Sequence, residues 1–360
     1  MRISRTAALL TAGFVLTAAA LSANELRKGH SDYLASLTER SLKKAFPARS
    51  VRLLEVAPGP GRAAAAKAIL ARLERGDLGR RLRLADLKPR TADRRVLSFL
   101  GEAGYLDVMA DGSKLRVRGA IDDTKEIERA GAGRIEKKAL EDLGRRFVRE
   151  ALSPLVKLGK GETLMFLGVR YLYDGEAGTE AATASQERER VIASIAIFGR
   201  EVAGLPIVGS GSKVAVWFDN SREPVGFDVD WPVYRVSSRV QRVLSQAELA
   251  RRIATTTVPL GGTKDITVRR FECGYVDLGA TRRTKVMQAG CSIAFEGRGE
   301  GGEVWGRTEF VPAGRPALKE ARWPLANALA AGDVINTGTE EFQRFLNSPK
   351  APDEAPPTAQ

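Results

Sequence analysis

The chain has 360 residues, of which 43% are hydrophobic and 28% charged, and its formal net charge is +13. This balance is typical of folded globular proteins and excludes a chain that is disordered throughout. The length is enough for more than one domain.

Residues 1–23 have the three parts of a secretory signal peptide. Arg2 and Arg5 precede an apolar run from Thr6 to Ser22 that ends in small residues, and no cysteine near its end offers a site for a lipid anchor. An uncleaved signal anchor is the alternative, but the small-residue exit favours cleavage. No later apolar run approaches the roughly 20 residues that span a bilayer. We therefore expect an exported protein, secreted or periplasmic, that starts near Asn24 and has no transmembrane helix after cleavage.

Residues 24–134 form the basic part of the chain and are expected to be mainly helical. Residues 24–170 carry a charge of +12, whereas residues 171–360 carry −1. A one-sided basic surface attracts anionic polymers or lipid headgroups, although solvated helix faces are the alternative interpretation. Nucleic acid is not an expected partner, because the chain is exported and no reading motif accompanies the charge. The candidate anion-binding residues are Arg80, Arg81, Arg83, Arg90, Arg94 and Arg95.

Residues 135–240 are expected to form one unit of a helix followed by an antiparallel sheet. Apolar residues at three- and four-residue intervals predict a helix from about 136 to 153. The period then changes to 2, which predicts four strands. They are Thr163 to Tyr173, Val191 to Phe198, Lys213 to Phe218 and Pro224 to Trp231.

Residues 241–347 are expected to form a second unit of the same kind. Ser245 and Glu248 have the spacing of a capping box and predict a helix start. Predicted strands follow at 266–276, 285–295 and 303–311, and a closing helix is expected at 340–346. Residues 348–360 are rich in proline and alanine and are expected to be a disordered tail.

The two cysteines predict one disulfide bond. Cys273 and Cys291 lie on two predicted strands and are equidistant from Arg282 in the turn between them. They would therefore face each other across a hairpin, and an exported chain with an even cysteine count favours a bond.

The sequence contains no recognisable catalytic, cofactor or metal motif. The single histidine, His30, lies near the predicted mature terminus, where a held catalytic geometry is not expected. Asp228 and Asp230 share one strand face, a pattern that fits either a calcium site or, preferably, a solvated edge strand. Residues 209–212 could bind an anion through backbone amides, but they precede a strand, which favours a hairpin turn. We expect no enzyme and no cofactor.

The segment from Phe198 to Asp219 resembles the propeptide region of secreted thermolysin-type metallopeptidases, the PepSY and FTP-like modules. Those modules have a strand, a Gly-x-Pro-Val/Ile-x-Gly segment and a further strand that ends in Asp. Gly204, Pro206, Ile207 and Gly209 stand at those places here. The helix start at Ser245 is similar to the Ser-x-x-Glu-Ala start of PepSY units, with Leu249 in place of the alanine.

This resemblance implies an α+β, cystatin/PepSY-like fold, a helix packed on a curved antiparallel sheet, present in two units after the helical basic region. Such modules inhibit a peptidase, help it to fold, or act alone as binding modules outside the cytoplasm. No peptidase domain follows in this chain, so we expect action on a separate protein or peptide partner, such as a secreted peptidase, through an exposed sheet edge. The alternative is an envelope-associated binder of anionic polymer or lipid that uses the basic arginines.

Overall fold

The structure of this protein is a computed structural model. The described residues are 46, 48–57, 62–83, 86–93, 96–109, 112–119, 134–174, 190–257, 265–298 and 304–315. The predicted signal peptide, closing helix and C-terminal tail lie outside these residues, as do His30, Arg94 and Arg95.

Strands dominate the described part of the chain, which contains sixteen strands and four helices. The helices are α1 (Arg62–Glu74), α2 (Asp77–Leu82), α3 (Lys137–Glu150) and α4 (Gln246–Thr257). The first eight strands are β1 (Ser50–Ala57), β2 (Lys88–Asp93), β3 (Val96–Gly101), β4 (Gly104–Met109), β5 (Lys114–Gly119), β6 (Glu162–Asp174), β7 (Arg190–Val202) and β8 (Leu205–Val208). The others are β9 (Lys213–Phe218), β10 (Pro224–Asp230), β11 (Val233–Val243), β12 (Asp265–Val276), β13 (Val286–Met287), β14 (Ala289–Arg298), β15 (Val304–Pro312) and β16 (Gly314–Arg315).

Twelve of the strands form one large sheet. Its order is β15-β14-β12-β8-β7-β9-β10-β5-β4-β3-β2, and β6 also pairs with β7. Neighbouring strands are antiparallel except β8 and β12, which pair in parallel through Ile207 and Tyr275. The short strand β8 therefore joins the β12–β14–β15 part of the sheet to the rest.

The other four strands form a small antiparallel sheet in the order β13-β1-β11-β16. Its central pair joins distant parts of the sequence, since Ser50 of β1 lies opposite Arg242 of β11. The register shifts between Arg52 and Leu54, which marks a bulge in this pair.

Two large hydrophobic clusters hold these layers together. The first contains residues of α1, α2 and α3 packed on one face of the large sheet, with Leu140, Phe198 and Phe227 fully buried. The second lies between the small sheet, α4 and strands β12 to β15, with Leu54 and Ile253 fully buried.

Helix α3 approaches the sheet closely because it carries a glycine at the contact. A Cβ atom on Gly144 would lie 2.6 Å from Cε2 of Phe198 and 2.8 Å from Cβ of Ala196. Both partners belong to β7, so only glycine allows the helix and this strand to come so near.

The expected fold class, α+β and cystatin/PepSY-like after a mainly helical N-terminal region, is wrong. The described part of residues 24–134 holds five strands, β1 to β5, and only two helices. These strands extend both sheets, so the architecture is mostly β, with large sheets, rather than a pair of helix-on-sheet units. Side chains alternate between the two faces of β4 and β5, which places Leu106, Leu115 and Val117 in the core. The many basic residues of this segment concealed that period of 2 in the sequence.

Local predictions were more accurate than the fold class. The strands predicted at 163–173, 191–198, 213–218 and 224–231 all exist with small differences at their ends. The capping box is confirmed, because Ser245 N donates to Oε2 of Glu248 at 3.0 Å and Glu248 N donates to Oγ of Ser245 at 3.3 Å.

Candidate functional site

Strand β6 forms an edge of the large sheet. It has 13 residues and, among the described strands, pairs with β7 alone. The register places Glu162 opposite Val202 and Asp174 opposite Arg190. A strand with one unpaired edge presents a row of backbone donors and acceptors that another chain can use.

The direction of the backbone groups in the first part of β6 follows from one hydrogen bond. Ala203 N donates to the carbonyl of Gly161 at 3.0 Å, just outside the Glu162–Val202 pair. That pair is therefore of the non-hydrogen-bonded kind, and the pattern alternates along the strand. Leu164 and Phe166, two and four residues further on, direct their N–H and C=O groups away from β7 and towards the free edge.

The side chains of these same residues fix β6 to the core. Leu164, Phe166 and Val169 pack against the first hydrophobic cluster. The ring of Phe166 lies 5.4 Å from that of Phe198 of β7, between centroids, in a tilted arrangement. The edge is thus held in place by its side chains while part of its backbone faces outward.

Two tyrosines and an arginine lie together on the second half of β6. The rings of Tyr171 and Tyr173 are 6.5 Å apart, and the guanidinium of Arg134 lies 5.3 and 5.5 Å from their centroids. The hydroxyl of Tyr171 donates to the carbonyl of Ile135 at 3.1 Å. Desolvation raises the pKa of Tyr171, so this hydroxyl remains a donor. Both tyrosines are half-buried, so part of each side chain remains accessible on this half of the strand.

A buried arginine anchors the start of β6. The guanidinium of Arg200, whose side chain is 1% exposed, donates to Oε2 of Glu162 at 3.0 Å and to Oγ of Ser212 at 2.8 Å. It also lies between two rings, 4.4 Å from the centroid of Trp231 and 4.2 Å from that of Tyr234. These contacts tie β6 to β7, to the residue that precedes β9, and to β11 with the segment before it.

Asp228 is buried between two arginines, so the edge-strand interpretation of this residue is wrong. Strand β10 lies between β9 and β5 in the sheet. Asp228 accepts hydrogen bonds from Arg116 at 3.0 Å and from Arg118, whose guanidinium stacks 3.9 Å from the centroid of Trp217. Burial alone would raise the pKa of Asp228, but the two arginines hold it below its ordinary value.

Asp230 belongs to a second buried ion cluster. Arg283 donates to Asp230 and to both carboxylate oxygens of Asp277, at 3.1 and 3.0 Å from Nε. Burial raises the pKa of Asp230, as does the negative charge of Asp277, whereas Arg283 lowers it. Within the described residues, no group of three or more His, Cys, Asp or Glu side chains is arranged to hold a metal ion.

The hairpin interpretation of residues 209–212 is wrong, because the turn that they form connects β8 and β9, two strands that each pair with β7 and not with each other. Gly209 has a φ of 103°, a left-handed conformation that favours glycine. The N–H of Gly211 donates to the carbonyl of Asp277 at 3.0 Å, and Oγ of Ser210 donates to the carbonyl of Leu278 at 2.6 Å. The turn therefore packs against the ion cluster.

Lys213 follows this turn directly, and the pH dependence of the unfolding free energy tests whether its charge is buried. Its Nζ donates to the carbonyl of Ile207 at 3.1 Å, and burial lowers the pKa of Lys213 from 10.5 to about 8. Between these values the unfolded chain binds more protons than the folded chain, so stability from this residue rises with pH. We expect the unfolding free energy of the wild type, relative to Lys213→Met, to increase between pH 8 and 10.5. Urea unfolding across this range measures it, and a constant difference would contradict the burial of the charge.

The predicted disulfide is confirmed. Cys273 of β12 and Cys291 of β14 lie directly opposite each other and are bonded, with an S–S distance of 2.02 Å. Disulfides are typical of proteins outside the cytoplasm, so the bond is compatible with the predicted export. In the described part of the chain, no helix is both long and apolar enough to span a membrane.

The structure does not gather the arginines predicted to bind an anion into one described site. Arg80 and Arg81 lie in α2, Arg83 is its C-cap, and Arg90 lies in β2, while Arg94 and Arg95 are outside the described residues. Arg80, Arg83 and Arg90 are exposed. Anion binding by these residues stays a prediction.

The group of Arg134, Tyr171 and Tyr173 was missed in the sequence. Tyrosines two residues apart in a predicted strand would share one face, which was the available signal. Nothing in the sequence indicates that Arg134 belongs to this group, because it precedes α3 and comes close to the tyrosines only when that helix packs on the sheet.

Comparisons with known proteins give this chain no family. No family model matches the sequence, and no curated protein matches it. Among solved structures, an uncharacterized protein from Eubacterium rectale ATCC 33656 is similar with a TM-score of 0.45 and 8% identity, over 74% of this chain and 85% of that one. A similarity of this size indicates neither function nor ligand.

Proposed function

We propose that this protein is an exported, non-enzymatic binding protein that takes up an extended segment of a partner protein along the free edge of β6. The observation that carries the proposal is that β6 is long and pairs only with β7 among the described strands. Backbone hydrogen bonds from an added strand would supply much of the affinity.

The geometry of β6 favours recognition by strand addition. Its core-facing side chains keep the strand in place, so binding requires little ordering of the protein itself. Leu164 and Phe166 direct their backbone groups outward, and the rings of Tyr171 and Tyr173 lie further along the same strand. A bound segment would therefore form backbone hydrogen bonds with the first part of β6 and contact the tyrosine rings on its second part.

A binding role is also in keeping with the buried charged groups. Asp228, Asp230 and Asp277 are each paired with arginine, so these three carboxylates are held in ion pairs inside the fold. The resemblance of residues 198–219 to peptidase propeptide modules makes a secreted peptidase the first partner to test.

A proline variant of the edge tests this proposal. Leu164→Pro removes an N–H group that faces the free edge, whereas Leu164→Ala removes more of the side chain's apolar contacts and keeps the N–H. The full chain and both variants would be used to capture proteins from the native secretome at low and high salt. We expect Leu164→Pro to weaken capture about tenfold or more, and Leu164→Ala to retain it.

Hydrogen exchange of backbone amides shows whether a captured protein binds at the free edge of β6 or at another surface. In the complex with a captured and identified protein, the amides of Leu164 and Phe166 should become protected from hydrogen exchange. Capture that is equal for both variants, or that disappears at high salt, would overturn strand addition at β6. Because proline can also destabilise the strand, the unfolding midpoints of both variants serve as the control for folding.

A further inference from the structure

The small sheet turns a row of arginines and valines to solvent. Tyr234 and Gln241 of β11 point into the protein, where Tyr234 stacks on Arg200 and Gln241 donates to Gln288 at 3.3 Å. Since side chains alternate along a strand, the residues next to these two point outward. These neighbours are Val233, Arg235, Val240 and Arg242, and all four are exposed.

Strand β1 completes this surface. Val51 belongs to the second hydrophobic cluster and Leu53 is 1% exposed, so Arg52 between them faces solvent. The register places Arg52 directly opposite Val240, which gives the two side chains a common face. We call Arg52, Val233, Arg235, Val240 and Arg242 the β1–β11 surface.

The charge of this surface is strongly one-sided. Glu55 is the sole acidic residue in β1 and β11, and it lies opposite Arg235. Its carboxylate already accepts a hydrogen bond from Oγ of Ser237 at 2.7 Å. Arg52 and Arg242 have no acidic residue opposite them in this strand pair, where Val240 and Ser50 stand instead.

The valines distinguish this surface from a solvated basic face. Val240 is 60% exposed and Val233 is 46% exposed, among the largest exposures of any described large apolar side chain. An apolar side chain between arginines contributes no favourable free energy while it is surrounded by water. It gains free energy when it inserts among lipid headgroups while the arginines contact phosphates.

We propose that the β1–β11 surface docks on an anionic lipid bilayer. Charge complementarity supplies the attraction, and the exposed valines favour a bilayer over an anionic polymer in solution, which offers no apolar layer. This surface belongs to a different sheet from β6, so the inference does not depend on the proposed partner binding.

Vesicle binding by the full chain tests the proposal. Binding would be measured to phosphatidylcholine vesicles with and without phosphatidylglycerol. The triple variant Arg52→Gln, Arg235→Gln, Arg242→Gln should bind the anionic vesicles roughly a hundredfold more weakly. Val240→Ser, which keeps the charge, should weaken binding about fivefold. Residues 1–23 are common to all variants, so any lipid affinity of that segment cancels in the comparison.

A matched control has the same loss of charge elsewhere. Arg72→Gln, Arg146→Gln, Arg149→Gln removes three exposed arginines of α1 and α3, outside the β1–β11 surface, and should bind like the wild type. Equal weakening of both triple variants would overturn the proposal, because it would show a general charge effect. Full binding by Val240→Ser, together with equal competition by soluble polyphosphate, would assign the surface to an anionic polymer instead. Arg52→Gln alone, with an expected loss of about fivefold, covers the case in which the triple variant fails to fold.

Discussion

Replacing Arg283 with methionine should lower the free energy of unfolding by about 3–5 kcal/mol. Arg283 is the cation between Asp230 and Asp277, and the three side chains are 7%, 5% and 0% exposed. Methionine fills a similar volume but leaves two buried carboxylates without this cation. The loss therefore measures the cost of uncompensated charge rather than the cost of a cavity.

Urea unfolding of the wild type and the variant measures this loss. Arg146→Met provides the control, because Arg146 is exposed on α3 and its replacement should change stability by less than about 0.5 kcal/mol. A second variant, Asp230→Asn with Arg283→Met, removes one of the two charges and should recover part of the loss. If Arg283→Met loses no more unfolding free energy than Arg146→Met, the ion cluster does not contribute to stability, contrary to what its geometry indicates.

Loss of the disulfide bond should cost about 3 kcal/mol of unfolding free energy. Cys273 and Cys291 are separated by 18 residues, and in the chain-entropy model a closed loop of this size restricts the unfolded chain by that amount. The double variant Cys273→Ala, Cys291→Ala should therefore unfold at a lower urea concentration than the oxidised wild type. Alanine suits the site because both cysteines are buried in the second hydrophobic cluster.

The reduced wild type separates the cross-link from the side chains. After unfolding and refolding with a reductant, it should lose nearly the same free energy as the double variant, while the double variant should not respond to the reductant. Equal unfolding midpoints for the oxidised and reduced wild type would show that the hairpin of β12 and β14 needs no cross-link, and would contradict the expected effect.

Features that depend on neighbouring residues were predictable from the sequence. The capping box at Ser245 depends on two residues three positions apart, and the disulfide depends on one hairpin whose turn lies midway between the cysteines. The strands after α3 follow from a period of 2 that each segment shows by itself. In all of these cases the physical cause lies within about 20 residues of chain.

The candidate binding surfaces were only partly predictable. An exposed sheet edge was expected, but the sequence does not tell which strand lies last, because a strand has the same alternation whether one or both of its neighbours are present. Arg52 lies more than 180 residues before Arg235 and Arg242, and only the pairing of β1 with β11 brings the three arginines of the β1–β11 surface together. Of the basic residues expected from local density, Arg80 and Arg81 lie in α2, Arg83 is its C-cap and Arg90 lies in β2.

The sequence by itself determined most of the local elements from α3 onward and the cysteine pair, because each follows from short-range periodicity or spacing. Tertiary structure alone decided that β1 joins β11, that β10 is an interior strand, and that Asp228 and Asp230 are buried in ion pairs with arginines. These features depend on pairings between distant segments, and long-range pairing is set by the total burial of apolar surface and by backbone satisfaction across whole sheets. Local composition carries no record of either quantity, which is why a basic segment expected to be helical became five strands of the two sheets.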